Sequence, residues 1–344
     1  MQIKPFKSLL ILICLFSIIG CSGGQRLPDS FVEYQTRMFR VLSLNKEPID
    51  PSISITFPSV ENRKVAIPSV TIPLRDFYAI NGCELASLIA QRNTALGKVE
   101  YPSRRIVYEA QLRDTLKDCI ALLESTPEFD ESSTVKSGLE NVLAQKQDNF
   151  PRTWANLIQN SESIRLALSF DQRFIQGDPT DGFIETSQAL QYLYDIKSTI
   201  SIQHAEIEGH LAHLAQFRLP ARLFRTTRYL TDGLKYLNRI LSIYNDEFTC
   251  STAVEQAQIK IFNNVMNQFF IQELQPIASS TNRYAQTLIP LLEKIVEDEH
   301  INNEMRVFLQ NEIMHYDNYK TLFSEHVNEL KILLNRCGLR PSAS

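Results

Sequence analysis

Between Leu223 and Tyr244 seven residues fall at alternating intervals of four and three: Leu223, Thr227, Leu230, Leu234, Leu237, Leu241 and Tyr244. Only a helix gathers positions so spaced into one stripe, and such a stripe is a seam that a second helix must cover. Much of the chain repeats the pattern. Phe31, Tyr34, Met38 and Val41 share one side of a helix that Asp29 can cap and that ends near Leu44. Further helices are read over 82–96, 103–124, 134–148, 151–168, 183–218, 284–296 and 301–337, and through Val254, Ile261, Val265 and Phe269. Of the 11 glycines, three lie at 20, 23 and 24, which leaves few for the turns of a sheet protein. The expected fold is all-α, an elongated antiparallel helical bundle.

One segment departs from it. Pro48, Pro51, Pro58, Pro68 and Pro73 exclude regular helix from 47–73. The expectation there is an extended arm laid over the bundle, with Ile53–Phe57 and Val65–Ile67 as strands of a small hairpin. The turn Asp178-Pro179-Thr180-Asp181-Gly182 divides an N-terminal helical half, 29–177, from a C-terminal long-helix half, 178–340.

The N-terminus carries an address. Lys4 and Lys7 precede the apolar run Ser8–Ile19, which leads into Ile18-Ile19-Gly20-Cys21. A permanent membrane span needs about 20 apolar residues, and this run is shorter. The arrangement resembles the bacterial lipoprotein signal. That resemblance implies removal of residues 1–20, diacylglycerol on the Cys21 thiol, and a further acyl chain such as palmitate on the new amino end. Residues 21–28 then form a flexible tether. Ser22, where Asp favours inner-membrane retention, points to the outer membrane with the body facing the periplasm. The net charge of -4 and the compartment argue against nucleic acid as a partner.

Cys83, Cys119, Cys250 and Cys337 remain after processing. Four cysteines in an oxidising compartment suggest two disulfides, with three connectivities to choose from. If 82–96 and 103–124 fold back on each other, positions equidistant from the turn face each other. The midpoint of 83 and 119 is residue 101, inside that turn, so Cys83–Cys119 is the natural pair and Cys250–Cys337 follows.

Candidate chemistry is sparse. Glu206, His210 and His213 lie on one helix flank at spacings that metal sites use, and Glu297…His300 and Glu312…His315 repeat the Glu-x-x-His spacing of carboxylate-bridged iron sites. Glu312 falls inside the apolar arc of Leu309, Ile313, Tyr316, Phe323 and Leu330, so it needs a partner. His204 occupies a slot in the apolar stripe and is expected in the core. Arg225, Arg228, Lys235 and Arg239 point away from the Leu230–Leu237 seam, toward solvent or an anionic contact such as lipid phosphates. No Gly-x-Ser-x-Gly, Walker A, Gly-x-Gly-x-x-Gly or His-Glu-x-x-His occurs, so neither a catalytic set nor a cofactor is expected.

The lipobox, Asn81-Gly82-Cys83-Glu84-Leu85, the run from Arg92 to Lys98, Tyr108-Glu109 and Cys119 are together similar to an uncharacterised family of envelope lipoproteins from gammaproteobacteria. The resemblance implies an address and no mechanism. The function expected is a non-catalytic interaction module or scaffold with a periplasmic or envelope protein partner. The rivals are a metal-binding protein or metal-dependent enzyme using the Glu/His clusters, and a carrier of lipid or another envelope ligand. The sequence leaves the oligomeric state open.

Overall fold

The computed structural model describes residues 26–80, 82–93, 101–125, 132–177, 182–199 and 202–339. Cys14, the lipobox and Cys21 lie outside the described residues. The elements in order are α1 (Arg26–Val41), α2 (Leu74–Ala79), α3 (Glu84–Arg92), α4 (Pro102–Ser125), α5 (Ser132–Asn160), α6 (Glu162–Ser169), α7 (Phe183–Asp195), α8 (His204–Phe217), α9 (Leu219–Glu247), α10 (Ala253–Val265), a π-helical stretch (Met266–Leu274), α11 (Gln275–Val296) and α12 (Asn303–Arg336). The fold is all-α, and no strand occurs among the described residues.

Helix α1 begins earlier than expected, inside the span read as tether. Leu27 is fully buried, and Pro28 stands in the first turn, where its missing N–H costs nothing. Leu27, Phe31, Tyr34 and Met38 bury one face, each contributing about 1.5–3 kcal/mol. Gly233 lets α1 approach α9 closely: a Cβ there would sit 2.4 Å from the Phe31 ring.

Helix α5 runs through Pro151, where the sequence suggested two helices. Proline inside a helix costs about 3 kcal/mol. Burial of Phe150 and Trp154 on either side offsets it, and the Trp154 indole donates to the Leu193 carbonyl across the interface with α7 (2.6 Å). The span 183–218 is likewise two helices, α7 and α8. The π-helical stretch directly precedes Pro276, whose ring cannot accommodate the carbonyl four residues back in an α ladder.

The 47–73 segment contains neither helix nor strand, so the expected hairpin is not formed. Side-chain amides take the place of a partner strand. Gln35 donates to the Ile49 carbonyl (2.8 Å) and accepts from its N–H (3.0 Å). Asn156 does the same for Val65, both at 2.8 Å. The Tyr229 hydroxyl reaches Asp50 (2.9 Å), the Tyr236 hydroxyl the Glu47 carbonyl (2.8 Å), and buried Arg63 lies over the Phe57 ring.

Two apolar interiors result. The main core draws on residues from Leu27 to Leu334, on both sides of residue 178. A smaller core gathers Ile80, Leu85, Leu112, Leu116, Ile120, Val135 and Leu139. Helices α4 and α5 span both: Ile106, Val107, Phe150 and Trp154 enter the main core, and Leu112, Leu116, Leu139 and Val142 the smaller one. Both disulfides join the expected partners, Cys83–Cys119 with Cα atoms 5.4 Å apart and Cys250–Cys337 at 5.5 Å. The first staples α3 to α4 in the small core. The second ties the start of α10 to the end of α12.

Helix directions are mixed. Helices α4 and α5 run antiparallel, with Glu109 facing Lys146 and Glu124 facing Lys136. Helices α9 and α12, the most extensive pair, run parallel. Arg228 meets Glu312, Thr231 meets His315, Asn238 meets Leu322 and Asn245 meets Glu329, always 84 residues apart. The sequence reading expected antiparallel neighbours throughout. Residues 253–296 instead make a nearly continuous helical return, so α12 sets out again from the end where α9 began.

Candidate functional site

The residues singled out in the sequence fall in three places. On α8, Glu206 and His213 are exposed, while the His210 ring stacks on Tyr192 with centroids 4.2 Å apart. Burial pushes His210 below its ordinary pKa against the opposing pull of Glu206, so it is neutral at pH 7. Burial, with Glu206 adding to it, pushes the Tyr192 phenol up to about 12. His204 is exposed at the start of α8, 3.5 Å from Glu208, and does not enter the core. His300 faces Asp298 at 3.2 Å rather than Glu297, in the turn that follows α11. Among the described residues no three His, Cys, Asp or Glu side chains converge as metal ligands do.

Glu312 and the basic residues of α9 come together inside the protein. Glu312 is fully buried and accepts two hydrogen bonds from the Arg228 guanidinium, at 2.9 and 2.6 Å. This fork geometry is the strongest form of such a pair. The expectation that Arg225 and Arg228 face solvent is therefore corrected. Arg225 lies over the Phe174 ring at 4.8 Å and donates to the Ile53 carbonyl (3.3 Å). The physical reason is that α9 is covered on several sides, by α1, α6, α12 and the 47–53 segment, so little of it is left to face water. Lys235 and Arg239 remain exposed. His315 is half-buried beside this pair, and burial followed by the Arg228 charge pushes it below its ordinary pKa.

His326 carries the most perturbed imidazole and was not singled out by its sequence. It is fully buried, with Nδ1 2.8 Å from the Asn238 Oδ1 and Nε2 3.0 Å from the Tyr34 hydroxyl. Asn238 Nδ2 donates to the Leu322 carbonyl (2.8 Å), so its oxygen accepts and His326 Nδ1 carries the proton. Nε2 then accepts from Tyr34. Burial pushes the His326 pKa down to about 3 and the Tyr34 phenol far up, which keeps both groups neutral. The signal was present: Leu309, Glu312, Tyr316, Tyr319, Phe323, His326, Leu330 and Leu333 form one series at intervals of three and four.

One region open to a ligand lies at the surface. Helix α10 buries Ile259, Phe262 and Val265 but turns Val254, Ala257 and Ile261 outward, with Val254 77% and Ile261 55% exposed. With Val41 at the end of α1 these residues line an apolar groove of about 620 Å³. Gln258 closes its floor by donating to the Val41 carbonyl at 2.7 Å. Thr252 and Glu255 form a capping box that fixes where α10 starts, three residues after Cys250.

Fold and surface together define a disulfide-braced, all-α bundle whose buried Glu312 and His326 are committed to internal partners. The chain belongs to the family described as protein of unknown function (DUF3080), which matches residues 31–341. No curated protein and no solved structure matches it.

Proposed function

We propose that the protein is a lipoprotein anchored through Cys21 to the outer membrane, facing the periplasm, where it acts as a non-catalytic helical interaction module for an envelope protein. The observation that carries the proposal is the groove between α1 and α10. Three apolar side chains at positions i, i+3 and i+7 of one helix point outward beside a second helix end, which is how an apolar segment of a partner is received. The groove is a firm platform, because the Cys250–Cys337 bridge and the capping box hold the start of α10. It also stands clear of the anchor. Helix α1 begins at Arg26, five residues after Cys21, and its 16 residues carry the chain about 24 Å before the groove begins.

A photo-crosslinking residue placed at Ile261 in intact cells tests this. One discrete adduct with an envelope protein is expected, lost when Val254→Asp is added. The far-ultraviolet spectrum of that variant should be unchanged, since Val254 is exposed. In the Cys21→Ser background the chain should lack its acyl mass and the adduct should leave the outer-membrane fraction. A protein that forms no adduct from Ile261, or forms it equally well with Val254→Asp, does not use this surface.

A further inference from the structure

The two disulfides sit in backbone of different kinds. Cys83 is extended (φ −95°) and hydrogen-bonded on both sides. Its N–H donates to the Ile80 carbonyl (2.9 Å), and its own carbonyl accepts from Ala86 (3.3 Å). Cys119 lies within the ladder of α4. Cys250 differs. Its φ of 58° is left-handed, a conformation that disfavours a residue with a Cβ by about tenfold. Among the described residues, no backbone group of 249–251 bonds to another backbone group. The hydrogen bonds there are made by side chains: the Thr249 and Ser251 hydroxyls meet at 3.0 Å, and Ser251 donates to Glu255 (3.3 Å). Beyond its chain neighbours, the bridge to Cys337 is the one covalent or hydrogen-bonded tie on Cys250 among the described residues.

Exposure does not separate the two bridges. In each, one cysteine is half-buried, Cys83 or Cys337, and its partner is buried, Cys119 or Cys250. Conformation does separate them. Reducing Cys83–Cys119 leaves both residues in hydrogen-bonded backbone, with nothing gained by moving. Reducing Cys250–Cys337 lets Cys250 leave the left-handed region, and that relief favours the dithiol. A strained disulfide has the more oxidising potential and is the labile kind. The release would not stay local. Thr252, the N-cap of α10, is two residues on, and Val254, the most exposed side chain of the apolar groove, is four residues on.

We infer that Cys250–Cys337 is a reducible latch on the α1–α10 groove, cut in preference to Cys83–Cys119 by a dithiol reductant. A thiolate of the reductant attacks Sγ of half-exposed Cys337. The disulfide breaks, and Cys250 leaves with the electron pair as a thiolate. The second thiolate of the reductant then attacks its own sulfur in the mixed disulfide, and Cys337 leaves in turn. Two electrons pass to the chain, and the two protons the reductant gives up end on Cys250 and Cys337. The reductant is left as a disulfide. Cys250 then relaxes and the start of α10 loosens, so the oxidised chain presents a firm groove and the reduced chain does not. That consequence rests on the proposed use of the groove; the order of reduction does not.

The test equilibrates the full chain in phosphatidylcholine nanodiscs with dithiothreitol and its oxidised form at set ratios, without air. Acid quenching, alkylation and peptide mass spectrometry then report each cysteine. Cys250 and Cys337 should reach half-reduction at a ratio about tenfold lower than Cys83 and Cys119 require, equivalent to about 30 mV. At a ratio that cuts only the first pair, amide exchange should quicken about tenfold or more across 249–258 and stay unchanged in α3 and α4. Cys250→Ser/Cys337→Ser should show the same exchange without reductant; if that variant fails to fold, the selectively reduced wild type still carries the test. Equal midpoints for the two bridges, or earlier reduction of Cys83–Cys119, would overturn the latch. Unchanged exchange across 249–258 after selective reduction would overturn it too. The Ile261 adduct of the oxidised chain is scored separately: its absence would remove the docking reading and leave the order of reduction standing.

Discussion

The α4–α5 hairpin and the α9–α12 pair each bury a carboxylate, and they treat it in opposite ways. Glu109 sits between the two cores with cations from both helices, and those cations also line an open pocket. Glu312 is sealed against a single guanidinium within the seam. Beyond it, Thr231, Asn238 and Asn245 each donate to a carbonyl of α12, at intervals of seven residues. The first arrangement shares one buried carboxylate between two cations at the edge of an open pocket. The second consumes polarity to fix register, the best-attested use of buried polar groups in helical seams. Polar residues in one all-α fold thus serve opening in one region and closure in the other.

The contrast can be broken by removing one cation from each region. Arg228→Met strands the Glu312 carboxylate in the core and should cost about 3–5 kcal/mol in guanidinium unfolding, with Arg228→Met/Glu312→Leu recovering most of it. Lys146→Met leaves Glu109 its Arg105 and should cost less, about 1.5–3 kcal/mol for one charged hydrogen bond. Equal losses would erase the distinction. The next effect concerns the staple. Cys83→Ser/Cys119→Ser opens a loop of 36 residues, worth up to about 4 kcal/mol. It should appear as faster amide exchange in α3 and the second half of α4, with α12 still protected. Equal loosening of α12 would mean that the two cores unfold as one.

Measured per pH unit, the smallest effect is a pH slope. The unfolded His326 imidazole takes a proton near pH 6.5, and the folded one only near pH 3. Between those values the unfolded chain binds one more proton. The stability from this group is therefore complete above about pH 6.5 and falls by about 1.4 kcal/mol per pH unit as the pH drops toward 3. His326→Gln, which keeps hydrogen-bonding capacity without a titrating ring, should flatten that part of the curve. An unchanged slope would place the acid sensitivity elsewhere.

The sequence showed the helices because their signal is local. The Leu223–Tyr244 spacing, the expected staple of Cys83 to Cys119 and the need of Glu312 for a partner could all be read from nearby residues. The identity of that partner could not. Arg228 looked solvated because one seam was known and the other packed sides of α9 were not. The hairpin failed for a similar reason: Gln35 and Asn156 supply, from distant positions, the hydrogen bonds a second strand would have made. His326 was legible as a seam position and was passed over, since histidine is a poor marker of a core. The groove and the pocket could not be read at all, because each is assembled from separated segments.

The parallel course of α9 and α12 has an electrical side. In an antiparallel pair such as α4 and α5 the helix dipoles oppose and largely cancel. In a parallel pair they add, with a partial charge of about half a unit of the same sign at each neighbouring end. The carbonyl ends of α9 and α12 converge beside the Cys250–Cys337 bridge. Arg336, in the last turn of α12, lies in that convergence and donates to the carbonyls of Asn245 and Phe248 at the end of α9. One guanidinium thus serves as a counter-ion to two helices. The α9–α12 pair is polarised, and its negative pole is capped from within, at the end where α10 and its exposed apolar stripe begin.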